Sequence, residues 1–143
     1  MAFVKVMVHA VWGTKSRYPF LTEEVRHRVI SHIQENALEK HIFIDRLNGH
    51  LEHLHCLFAL NADMSVAKVL QLLKGESAHW VNKEKVTKVK FEWADEYFAV
   101  SVSESQLDKV RTYIDRQEEH HGKMTFMQEY EAFIKKYNFQ NHG

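Results

Sequence analysis

The chain has one cysteine in 143 residues, and it has no excess charge of either sign. It also has no apolar run approaching the ~20 residues that cross a bilayer as a helix. Each absence excludes a class. A lone thiol cannot build an internal disulfide framework, and Cys56 falls among strand residues that read as core-facing, so it is expected to be a packing group rather than a nucleophile. The N-terminus interrupts its hydrophobic residues with Lys5 and His9, unlike a secretory leader, and a cytoplasmic location is the expectation. The 19 basic and 19 acidic side chains cancel, which removes the global positive field that commonly accompanies nucleic-acid binding. Any such contact has to rely on local patches. What is present, 45% hydrophobic and 27% charged residues without repeat, linker or low-complexity tract, argues against disorder and for one domain over 1–143 with a sizeable core.

Hydrophobic spacing orders the chain. Phe3 to Trp12 reads as a first strand, followed by a loop marked by Gly13, Ser16 and Pro19. Thr22 looks like an N-cap, with Glu23 and Glu24 in the favoured first turn and Val25, Val29, Ile30, Ile33, Ala37 and Leu38 at helical spacing. His41–Leu47 and Glu52–Leu60 are strand-like and are joined by Asn48-Gly49, a dipeptide suited to a tight hairpin turn. Ser65 can cap a second helix carrying Val66, Val69, Leu70, Leu73, Trp80 and Val81, and Phe91 to Val102 holds one or two further strands. The order βαββαβ, over about 1–102, predicts an α+β fold of the ferredoxin-like, split βαβ kind. In it an antiparallel sheet carries two helices on one face and leaves the other available.

Two C-terminal helices are expected beyond that core. One spans about 105–121, opened by Ser103 with Gln106 or by Ser105 with Asp108, and should end near Gly122. Leu107, Val110 and Ile114 form its apolar stripe, with Tyr113 and Gln117 one turn apart on the flank. The other spans about 125–137, opened by the capping pair Thr125 and Gln128, with Met127, Tyr130, Phe133, Ile134 and Tyr137 on its apolar side.

The chemistry concentrates at His53-Leu54-His55. Side chains alternate along a strand, so both histidines point one way and Leu54, Cys56, Phe58 and Leu60 the other. Two imidazoles on a rigid strand can hold a metal with an open coordination sphere, though a bare pair also fits the wet face of an ordinary sheet. If the third helix docks on the open face, Gln117 brings an amide oxygen and Tyr113 a phenol to the same place. Nitrogen and oxygen donors without thiolates suit Mg²⁺ or Mn²⁺ in phosphate chemistry. A phenol with an ordinary pKa near 10 needs a nearby cation or proton acceptor to attack phosphorus.

On these residues the chain resembles the TnpA-like, single-tyrosine HUH transposases of bacterial insertion sequences, including the relatives associated with repetitive extragenic palindromes (REP). The shared features are Trp12-Gly13-Thr14-Lys15, His53-Leu54-His55, Leu73-Lys74-Gly75-Glu76-Ser77, Ser101-Val102-Ser103, Tyr113-Ile114-Asp115-Arg116-Gln117 and the run through His121. The resemblance implies a metal-dependent enzyme that cleaves and rejoins single-stranded DNA at element ends through a 5′-phosphotyrosine and recognises hairpins. It assigns Tyr113 as nucleophile and His53, His55 and Gln117 as ligands of Mg²⁺ or Mn²⁺. It also implies a homodimer in which one subunit's tyrosine helix can complete the other's histidine site, and no membrane partner.

Two positions depart from the pattern. Glu52 stands where aspartate is usual, and Trp93-Ala94-Asp95-Glu96-Tyr97 lacks the glutamine and glycine often found there. Lys15, Arg17, Lys74, Lys83 and Lys85 are the candidate phosphate contacts, although such charges also read as solvated faces. The alternatives are a nonenzymatic or domesticated module that binds hairpins or single strands, and a metal-dependent nuclease that uses water.

Overall fold

β1 (Met7–Gly13) is buried along its whole length because it is paired on both sides. In the computed structural model, which describes residues 2–120 and 125–137, it lies between β3 (His53–Ala59) and β4 (Phe98–Val102), with β2 (Phe43–Gly49) beyond β3. The order β2-β3-β1-β4 is antiparallel throughout. With α1 (Glu23–Glu39) and α2 (Val66–Lys83) between strands, this is the expected ferredoxin-like arrangement. None of the described helices is long and apolar enough to cross a membrane.

Register sorts side chains between two faces. Opposed residues of an antiparallel pair share a face, so Val8↔Phe58, Ala10↔Cys56 and Trp12↔Leu54 all point one way. They form the main core with Val29, Ile33 and Ala37 of α1 and Val69, Leu70, Leu73 and Val81 of α2. Trp12 and Phe58 are almost wholly buried there, each worth about 2–3 kcal/mol of transfer free energy. Trp93 meets Trp12 edge-on at 6.0 Å and donates its indole N–H to Ser77 Oγ at 2.9 Å. Cys56 sits in this core, and burial pushes its thiol pKa up. The alternate residues of the same strands, His9↔Leu57, Val11↔His55 and Gly13↔His53, point to the opposite face.

That second face is covered as well. α3 (Leu107–Asp115) lays Leu107 and Ile114 on Met7 and Leu57, making a smaller apolar cluster. α4 (Gln117–His120) follows after a break at Arg116, and α5 (Phe126–Tyr137) is the last described helix.

Several expected boundaries move, each for a physical reason. The first strand begins at Met7 rather than Phe3, since Phe3 and Val4 find no apolar surface and remain exposed. Asn48-Gly49 does not form the hairpin turn. Both residues belong to β2, opposite His55 and Leu54, and the loop comprises residues 50–52, closed by His50 N–H donating to the His53 carbonyl at 3.0 Å. Gly49 is required there by close approach rather than by turn conformation, because a Cβ would stand 2.1 Å from the His53 carbonyl oxygen. The 91–102 segment supplies one strand only, with Phe91 and Trp93 spent on the core. Thr22 and Ser103 occupy N-cap positions without a side-chain capping bond, whereas Ser65 Oγ accepts from Lys68 N–H at 3.0 Å. The Thr125 and Gln128 box forms with both reciprocal bonds. Gly122 and the side chains of Met127, Tyr130, Phe133, Ile134 and Tyr137 lie outside the described residues.

Gly49→Ala should therefore cost about 2 kcal/mol of unfolding free energy, because backbone rather than a flexible side chain has to move. Chemical denaturation checks this; an unchanged midpoint would contradict the close approach.

Candidate active site

Polar anchors fix where the tyrosine helix lies. Arg111 on α3 forms a two-pronged pair with Asp45 of β2, Nε to Oδ1 at 2.9 Å and Nη2 to Oδ2 at 2.8 Å. This guanidinium holds the Asp45 carboxyl below the usual carboxylate range. Asn48 Nδ2 donates to the carbonyls of Ile114 and Asp115 at 3.0 and 3.3 Å, satisfying acceptors that the end of α3 leaves open. Arg26, buried in α1, donates to the Leu21 carbonyl at 2.9 Å and pairs with Glu118, one residue beyond Gln117. These bonds seat Tyr113 and Gln117 over β3 of their own chain.

Four polar side chains then converge in a volume closed to solvent. His53 and His55 are fully buried, as is Gln117, and Glu129 of α5 is 2% exposed. His53 Nε2 lies 3.0 Å from Gln117 Oε1 and 3.5 Å from Glu129 Oε1, while His55 Nε2 lies 2.6 Å from the same Glu129 oxygen. The other oxygen, Oε2, accepts from the Tyr113 hydroxyl at 2.5 Å. Glu52 Oε1 lies 2.9 Å from His53 Nδ1, so the longer acid at this position still reaches and orients the ring. Gln117 Oε1 and Glu129 Oε1 both face His53 Nε2, so two oxygens and a ring nitrogen meet at a place that a cation can occupy.

His9 supports the second imidazole from β1, its Nε2 lying 2.8 Å from His55 Nδ1 and its ring stacked at 5.1 Å. Burial, reinforced by the neighbouring His55, lowers its pKa from 6.5 to about 3, so the ring stays neutral. A neutral imidazole can donate to or accept from His55 Nδ1 according to its tautomer, which lets His55 present either N–H or a lone pair at Nε2.

The donor set suits a divalent ion. The ligating atoms of His53, His55 and Glu129 all lie within 4.8 Å of one another, and Gln117 Oε1 adds an amide oxygen. Glu129 and His9 were missed from sequence. The one available signal was position, since a carboxylate three residues after Phe126 and four before Phe133 breaks an apolar helical face.

The candidate DNA contacts divide. Lys15 pairs with Glu92 at 2.8 Å, and Lys74 Nζ donates to the carbonyls of Ala94 and Asp95 at 2.8 and 3.2 Å. Arg17 lines a cavity of about 220 Å³ with Trp12, Thr14, Ala94, Glu96 and Phe98. These three basic residues thus gather around the end of β1 and the 92–96 segment. Lys83, the last residue of α2, and Lys85 just beyond it are exposed on another stretch of chain.

The sequence profile of the family described as "Transposase IS200 like" matches residues 2–117. The chain belongs to the IS200-like transposase family. Among solved structures, it is similar to a candidate transposase from Deinococcus radiodurans R1, with a TM-score of 0.65 and 22% identity over 81% of this chain and 93% of that one. It is also similar to a REP-associated tyrosine transposase bound to a REP hairpin, with a TM-score of 0.59 and 15% identity over 99% of this chain and 89% of that one. Both likenesses extend the α+β fold of this transposase to solved relatives. No curated protein matches the sequence significantly.

His9 should leave a signature in acid. Between pH 6.5 and about 3 the unfolded chain binds a proton at His9 that the folded chain excludes, so this group makes stability fall as pH drops. The slope is about 1.4 kcal/mol per pH unit, with no contribution above the unfolded pKa. Denaturation of His9→Gln across pH 4–7 should give a shallower acid limb than the native chain; parallel limbs would contradict the buried neutral ring.

Proposed function

We propose that this transposase cleaves and rejoins single-stranded DNA through Tyr113. The observation that carries the reading is the placement of the Tyr113 hydroxyl on the same buried carboxylate that faces the Nε2 atoms of His53 and His55. The phenolic oxygen attacks phosphorus, forming a Tyr–O–P bond as the P–O3′ bond breaks. One DNA end leaves as a 3′-hydroxyl while the other stays attached as a 5′-phosphotyrosine. Glu129 Oε2, which accepts the phenol hydrogen bond, is the atom placed to receive its proton. The phosphodiester is exchanged rather than hydrolysed, so the reverse attack by a 3′-hydroxyl rejoins a strand.

His53, His55 and Gln117 would hold Mg²⁺ or Mn²⁺, which when bound supplies charge stabilisation to the scissile phosphate oxygens. Glu52 and His9 keep the two imidazoles aimed into the site, and the covering helices keep it dry. The site assembles from one chain, which supports cleavage by a tyrosine acting beside its own histidines; a homodimer on paired ends is compatible with that arrangement. Lys15, Arg17 and Lys74 gather near the end of β1, where Arg17 lines the small cavity, and can meet phosphates there, while Lys83 and Lys85 offer exposed charge on another stretch of chain. The similar fold of a hairpin-bound relative supports hairpin DNA as the ligand.

Incubation with 5′- and 3′-labelled single-stranded hairpins from the flanks of the gene, with Mg²⁺ or Mn²⁺, should trap a covalent protein–DNA adduct on the 5′-phosphate side. Tyr113→Phe should abolish the adduct, and His53→Ala should cut its rate by at least about 100-fold, as should chelation. Cleavage that survives in Tyr113→Phe would instead identify water as the nucleophile, and hairpin binding without cleavage would identify a binding module.

A further inference from the structure

We propose that Glu129 is a fourth protein ligand of the metal, so that the site comprises two imidazoles, one amide and one carboxylate. The inference rests on the reading of His53, His55 and Gln117 as metal ligands and adds to it a group from a separate helix. Ligands about 2.1 Å from an octahedral ion lie about 3 Å apart when adjacent. Glu129 Oε1 stands 2.6 Å from His55 Nε2 and 3.5 Å from His53 Nε2, and His53 Nε2 stands 3.0 Å from Gln117 Oε1. These separations bracket the spacing of a first coordination shell. Small shifts of the Glu129 side chain would equalise them.

The chemistry of the carboxylate points the same way. Acidic side chains are rarely this deeply buried unless a charge or hydrogen bonds compensate them, and Glu129 lies 2% exposed against the imidazoles of His53 and His55 and the phenol of Tyr113. Hard divalent cations bind oxygen donors of this kind, and affinity rises with the number of charged ligands. The division of labour between its two oxygens matters as well. Oε1 faces the histidines while Oε2 holds the Tyr113 hydroxyl, so a single carboxylate ties the nucleophile to the ion and fixes the distance between them. Because Glu129 belongs to α5, metal binding and the seating of α5 reinforce each other. A buried carboxylate directed at two imidazoles is the feature this role explains.

The test measures Mn²⁺ binding to the intact protein without DNA, by the electron paramagnetic resonance signal of free Mn²⁺, for the native chain and for Glu129→Gln, Glu129→Asp and His53→Ala. Glu129→Gln keeps size and can still hydrogen-bond Tyr113, so it should weaken Mn²⁺ by about tenfold or more. Glu129→Asp should fall between it and the native chain. The rise in melting temperature on adding Mn²⁺, each variant compared with its own metal-free form, should shrink in the same order. Native affinity in Glu129→Gln with a loss in His53→Ala would overturn the fourth ligand and leave the histidine site standing. Tighter binding in Glu129→Gln would also overturn it, identifying the carboxylate as an occupant of the ion's place. If Glu129→Gln does not fold, Glu129→Asp alone decides: a several-fold loss supports the proposal and native affinity refutes it. Unaltered binding in His53→Ala would overturn both the metal site and this addition, whereas failure to trap a Tyr113 adduct bears on the transposase mechanism alone.

Discussion

Two imidazoles, an amide and a carboxylate share one buried volume, and that is the constraint from which the rest of the structure follows. None of these groups can be taken from water without a partner, so they must satisfy one another or surround a cation. Strand β3 makes the crowding unavoidable, because alternation turns His53 and His55 to the same side while Leu54, Cys56 and Phe58 fill the core behind. The core packing immobilises the strand, and the strand immobilises the imidazoles. Glu52 and His9 then fix the rings from opposite ends of the pair.

The second half of the site is delivered by helices, and its placement depends on a few polar bonds more than on apolar area. The cluster under α3 is small, built on Met7, Leu57, Leu107 and Ile114. Against so small a cluster, the Asp45–Arg111 pair and the Asn48 bonds to the carbonyls of Ile114 and Asp115 supply orientation that hydrophobic contact alone would leave loose. A helix held in this way over its own β2 and β3 brings Tyr113 beside the histidines of the same chain. The break at Arg116 turns Gln117 into a new helical segment whose neighbour Glu118 is tied to the buried Arg26 of α1. The face under α3 is therefore connected to the face under α1 and α2 through the Arg26 guanidinium.

Much of this was legible in the residues. The βαββαβ order, the common direction of the two histidines and the Thr125 capping box follow from local patterning, which a reader of the chain can see directly, whereas the single helix expected over about 105–121 is broken at Arg116. Gly49 shows where such reading fails. Asn48-Gly49 has the composition of a turn, yet the glycine is demanded by the His53 carbonyl of the neighbouring strand and the asparagine by a helix 66 residues later. Composition alone cannot distinguish a glycine that bends the chain from one that makes room. Glu129 was out of reach for a related reason: its role is created by a helix folding back over β3.

By itself the sequence determined the strand and helix order, the face to which each strand residue points and the resemblance that draws Tyr113, Gln117 and the histidine pair into one expectation. These depend on backbone periodicity and local hydrogen bonding, which act over a few residues. The tertiary structure alone decided that the tyrosine helix covers its own histidines, that His9 orients the second of them, and that Glu129 joins Tyr113 to them. Those are contacts between groups 16 to 74 residues apart, and the energy that selects them, burial of polar atoms that must find partners, exists only once the sheet and its covering helices have closed.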